Sequence, residues 1–72
     1  MKVKEAIEML SEAISSLLRA SCLIVQVRDG VKHESTRSEL GAARGVITVL
    51  EYFLRHTIYD LVALKAKGME EV

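Results

Sequence analysis

The chain has no proline, no tryptophan, one cysteine and no excess of either charge among its 72 residues. With Cys22 alone no intrachain disulfide can form, and with only His33 and His56 beside it a zinc site of the Cys/His type lacks ligands. Ten Lys and Arg balance ten Asp and Glu. No bulk field therefore draws the protein to a phosphate backbone, and nucleic-acid binding is reduced to what a local patch could do. No unbroken apolar run exceeds four residues, as in Cys22–Val25, far short of the ~20 that span a bilayer. The opening Met1-Lys2-Val3-Lys4-Glu5 runs straight into a charged amphipathic pattern, unlike the apolar core of a signal peptide. The expectation is a cytoplasmic protein with no membrane partner and no cofactor.

What is present is apolar and periodic. Half the residues are hydrophobic and mean hydropathy is +0.22. A core built from so short a chain is marginal unless a disulfide, a metal or oligomerisation supplements it. The first two are excluded above, which leaves association.

Val3, Ile7, Leu10, Ile14, Leu17 and Ile24 recur at steps of three and four on one helical face, interrupted by Ser21. Ala6, Ala13 and Ala20 repeat every seven residues beside that seam, where small side chains let a neighbouring antiparallel helix come close. The pattern predicts a first helix over 3–28, ended by Asp29-Gly30 with Gly30 in the left-handed conformation. Residues 29–35 form the loop. Thr36 and Glu39 read as a capping box that opens a second helix over 36–67. On it Leu40, Ala43, Ile47, Leu50, Leu54, Leu61 and Leu64 continue the spacing around Thr57, widened by Val46, Phe53 and Ile58.

At 1.5 Å per residue these helices measure roughly 39 and 48 Å. In an antiparallel hairpin the second would then overhang the first at Leu61, Val62 and Leu64, leaving them uncovered. The expected fold is all-α, an antiparallel two-helix hairpin assembling as a homodimeric four-helix bundle. Its oligomer interface is assigned to Ile7, Leu10, Ile14, Leu17 and Ile24 on the first helix, and to Ile47, Leu50, Leu54, Leu61 and Leu64 on the second. The tail Gly68–Val72 is expected to fray.

Few polar features could carry chemistry. Gly41 and Gly45, a Gly-x-x-x-Gly spacing inside a helix, destabilise it by about 1 kcal/mol each relative to alanine, so they suggest close approach of another backbone or a ligand. Tyr52 and Tyr59 extend that side, giving a candidate close-contact or ligand surface. Arg28, Lys32, Arg37 and Arg44 lie toward the loop and could form a basic patch for RNA or an acidic partner. Glu51 and Arg55 are spaced as an exposed helix ion pair, Cys22 as a small buried hydrophobe, and His56 as a half-buried edge residue. The string His33-Glu34-Ser35-Thr36-Arg37 resembles the phosphoacceptor box of histidine kinases, but it falls in the loop instead of on the first helix. Arg37 also breaks the His-Glu-x-x-His zinc spacing. No nucleophile, base and orienting group stand at credible spacing, so no catalytic role is expected.

The run Arg37-Ser38-Glu39-Leu40-Gly41-Ala42-Ala43-Arg44-Gly45-Val46-Ile47-Thr48-Val49-Leu50-Glu51 resembles the second helix of small helical-hairpin proteins encoded by phages and prophages. In overall plan the chain resembles the Rop family of plasmid copy-number regulators, hairpins that dimerise into four-helix bundles and bind paired RNA loops. No residue matches that family's RNA-contacting positions, so the resemblance implies the plan and not the RNA activity. Together these imply a small interaction or regulatory protein that associates with itself and docks on a protein partner. The alternatives are an RNA-binding regulator and a bundle that binds a small ligand or nucleotide.

Overall fold

A computed structural model describes all residues, 1–72, as an antiparallel hairpin of two α-helices measuring 53 × 15 × 14 Å over its Cα atoms. Helix α1 spans Val3–Gly30 and α2 spans Glu34–Ala66, 28 and 33 residues joined by Val31, Lys32 and His33. The helices follow from the three-four spacing of their apolar residues and from the absence of proline.

Both ends at the loop differ from expectation. Gly30 stays helical, Gly68 being the only residue with positive φ, and the chain leaves α1 through extended Val31, whose N–H donates to Arg28 O at 3.4 Å. The cap of α2 is His33, not Thr36. His33 has β-region φ/ψ, and its Nδ1 accepts from the Thr36 N–H at 3.3 Å and lies 2.9 Å from Thr36 Oγ1. A ring nitrogen thus takes the place of the usual Ser or Asp oxygen three residues ahead of the amide it satisfies. Thr36 is drawn into the first turn, and the Thr36/Glu39 capping box does not form.

At the far end Gly68, at φ 90, closes α2. Its N–H donates to Lys65 O and that of Met69 to Leu64 O, both at 3.0 Å, the pair of bonds that defines a Schellman closure. The left-handed turn carries the tail across the start of α1, where it pairs with Met1–Val3 instead of fraying. Val3 N–H donates to Glu70 O at 2.7 Å and Val72 N–H to Met1 O at 3.0 Å, around a one-residue antiparallel bridge between Lys2 and Glu71. One of the orphan amides of α1 is satisfied in this way, and Val3 becomes the most buried residue, 1% exposed.

The same turn removes the overhang. Since Val3 already reaches Glu70, α1 runs alongside the last turns of α2, and Leu61 and Leu64 are half-buried, while Val62 stays exposed. What stays thin is the core, because only Val3 and Ile14 are buried. Along α1, Ile7, Leu10, Leu17 and Ile24 flank Ile14 as half-buried residues, as the heptad predicts. Along α2 the seam is rotated from the predicted one. Leu40, Ile47, Leu54 and Leu61 hold their place, but Ala43, Leu50 and Thr57 are exposed, and Glu51 and Ile58 turn inward. The apolar stripe of α2 is wide enough to offer two seams, and packing against α1 selects the one that contains Ile58.

Candidate interaction faces

A second pair of stripes lies beside the packed ones, with Ala6, Ala13 and Ala20 half-buried at its border with the seam. On α1, Ala6, Met9, Ala13, Ser16, Ala20, Leu23 and Val27 step by three and four, and on α2 Ala43, Val46, Leu50, Phe53 and Thr57 do the same. At about 100° per residue, each outer stripe lies roughly a quarter turn from the inner one, in the same rotational sense on both helices. Because the helices are antiparallel, the same sense places both outer stripes on one face of the hairpin. Met9, Leu23, Val27, Val46, Leu50 and Phe53 are all exposed there, Phe53 by 61%. No charged residue interrupts either stripe; Glu39 and Asp60 mark the two ends of the α2 stripe. Thr57, its polar member on α2, donates its hydroxyl to Phe53 O at 3.0 Å. That hydroxyl is thus already satisfied within its own helix.

The opposite face is the more polar one, although Leu18, Tyr59 and Val62 are exposed on it. One shallow groove there is lined by Ser11, Ser15 and Leu18 from α1 with Arg55 and Tyr59 from α2. A second lies between Cys22, Val25 and Gln26 of α1 and Arg44 of α2. Cys22 is exposed, not buried, since it sits one residue past the inner seam on the polar side. Tyr52, His56 and Tyr59, at i, i+4 and i+7, form an aromatic ladder with ring centroids 4.4 and 6.3 Å apart. His56, expected half-buried at the edge of the seam, is exposed and belongs to this surface; its spacing from the tyrosines is the available signal.

The sequence-derived sites divide between these faces. Of the residues assigned to an oligomer interface, Ile7, Leu10, Ile14, Leu17, Ile24, Ile47, Leu54 and Leu61 line the seam within one hairpin, while Leu50 turns outward, 46% exposed. Gly41 and Gly45 line neither groove, and a Cβ at either would meet nothing within 4 Å. Nothing in the hairpin itself approaches them. In the basic patch, Arg28 forms the hairpin's one ion pair, with Asp29 at 3.9 Å, and Arg37 Nη1 reaches Val31 O at 3.5 Å. Glu51 and Arg55 do not pair: Glu51 is half-buried in the seam and Arg55 lines the groove. Arg37, Arg44 and Arg55 share one side of α2, so Arg55 extends the patch.

No cluster of three or more His, Cys, Asp or Glu side chains is placed to hold a metal ion. Helix α1 contains an 18-residue window of mean hydropathy 1.3, long and apolar enough to cross a membrane by length and composition. Glu5, Glu8, Glu12 and Arg19 lie off both apolar stripes, while Arg28, half-buried, continues the inner one at the loop end. No protein-family model, curated protein or solved structure matches this chain.

Proposed function

We propose that this chain is a small non-enzymatic interaction protein that works as a homodimer, two hairpins making a four-helix bundle, and docks on a protein partner. The observation that carries it is the charge-free apolar face with Phe53 at its centre, left open by a hairpin that buries only Val3 and Ile14. Apolar patches of this extent mark association surfaces, and a chain this short without disulfide or metal gains most from self-association. The resemblance of residues 37–51 to phage-encoded hairpins suggests a regulatory role in a mobile element. Sedimentation at micromolar concentration should give a folded dimer; a stable folded monomer would remove the proposal.

A second reading, an RNA-binding regulator, is favoured by one observation: Arg37, Arg44 and Arg55 line up on the polar face beside exposed Tyr52 and Tyr59. It predicts binding to RNA hairpins that weakens steeply with salt. Absent or salt-insensitive binding counts against it.

A further inference from the structure

We infer that the occupant of the apolar face is a second copy placed by a two-fold axis parallel to the helices, so that α1 of each hairpin packs on α2 of the other. The assignment deepens the homodimer proposed above and rests on it. Its basis is the contrast between the two outer stripes. Over the middle of the bundle the α1 stripe is small, with Ala13, Ser16 and Ala20 between Met9 and Leu23, whereas the α2 stripe there is large, with Leu50 and Phe53. Such a face is complementary to itself only when each small stripe meets a large one.

Heights along the bundle agree. Within the hairpin Val3 bonds Glu70 and Ile14 shares a groove with Ile58. An axis parallel to the helices preserves those levels. It brings the second copy's Phe53 over the hole bounded by Ala13, Ser16, Leu17 and Ala20, an i, i+3, i+4, i+7 set of the knobs-into-holes kind. The alternative axis, perpendicular to the helices, sets alanines against alanines and Phe53 against its own neighbours. One helix pair would then be tight and the other splayed.

Extent also favours a second copy. The outer stripe of α1 runs about 32 Å from Ala6 to Val27 at 1.5 Å per residue. With two helices side by side this gives a footprint of roughly 600–800 Å² per copy, close to the ~800 Å² per partner of a standard interface. A lipid surface would require neither the size contrast nor the level match.

Disulfide trapping tests the inference in the full chain carrying Cys22→Ser, a change on the opposite, polar face. Mixtures of the single variants Ala20→Cys and Leu50→Cys should give a covalent dimer on mild oxidation, and Ala13→Cys mixed with Ala20→Cys should not. Leu23→Cys mixed with Val46→Cys repeats the test if the first pair folds poorly. Trapping of Ala13→Cys with Ala20→Cys alone would establish the perpendicular axis and overturn the inference. A sedimenting dimer that no mixture traps would overturn the face while sparing the homodimer. A monomer that floats with phosphatidylcholine vesicles would overturn both in favour of a membrane.

Discussion

Replacing Gly41 and Gly45 by alanine should stabilise the protein, and the size of the gain can be worked from the structure. Both lie inside α2, eight and twelve positions from its start counting Glu34 as the first, where glycine is about 0.8–1.0 kcal/mol worse than alanine. The added methyls meet nothing within 4 Å, so no steric term offsets the backbone-entropy gain. Summed, the two give about 2 kcal/mol for Gly41→Ala/Gly45→Ala, with a coupling of ~0.5 kcal/mol or more expected between sites one turn apart. In a domain of this size 1 kcal/mol moves Tm by roughly 4–8 °C, so the double variant should melt about 8–15 °C higher. Circular dichroism melts at one protomer concentration, supported by urea titration, provide the measurement. A fall in Tm for either single variant would refute the reasoning, because it would place another backbone against the glycine side. The docking face would then be the polar one, opposite Phe53.

Phe53→Asp should shift the dimer to monomer by at least tenfold in Kd, since it puts a charge into the centre of the proposed interface; unchanged sedimentation equilibrium would count against that face. His33→Ala should cost about 1 kcal/mol of stability by urea denaturation, whereas His33→Asp should hold or exceed the original, the carboxylate capping Thr36 and favouring the N-terminus of α2. Ending the chain after Gly68 removes the Val3–Glu70 hydrogen bond and uncovers Val3. A loss of about 1–2 kcal/mol follows from one hydrogen bond and part of a valine's burial, and amide exchange in the first turn of α1 should accelerate. Exchange as slow as in the intact chain would mean that the tail contributes nothing.

The two helices and their antiparallel order are legible in the spacing of Ile7, Leu10, Ile14 and Leu17 and in the short polar loop. Other features are not, for separate physical reasons. Histidine is a weak capping residue by composition, so Thr36 with Glu39 is the better-marked start for α2, whereas the extended backbone at His33 brings its Nδ1 to the Thr36 N–H. Leu50 was assigned to a seam it does not occupy because α2 carries apolar residues over half its circumference; periodicity cannot choose between seams when both are filled. The returning tail depends on backbone bonds from Val3 and Val72 and on one left-handed glycine, which leave little trace in side-chain pattern. For the candidate surfaces, Arg44, Tyr52 and Tyr59 were legible as types and positions. That Arg55 joins one groove and His56 bridges the tyrosines needed the helix phase that only the fold supplies.

Without the overhang, the proposed homodimer rests on a different observation. Leu61 and Leu64 no longer ask for cover, since α1 accompanies α2 to its end. The demand comes instead from the angle between stripes. A helix with one neighbour needs one seam. These have two, Ile14 with Ala13 on α1 and Leu54 with Phe53 on α2, each pair separated by about a quarter turn. From the axis of a helix at the corner of a square, its two adjacent neighbours lie at right angles; at the corner of a triangle they lie about 60° apart. The quarter turn is the angle of a square, so the hairpin supplies two corners and its outer stripes point to the other two. A trimeric or open-ended assembly would need the outer stripes elsewhere, which is why a measured mass of two chains, neither three nor more, is the outcome this sequence favours.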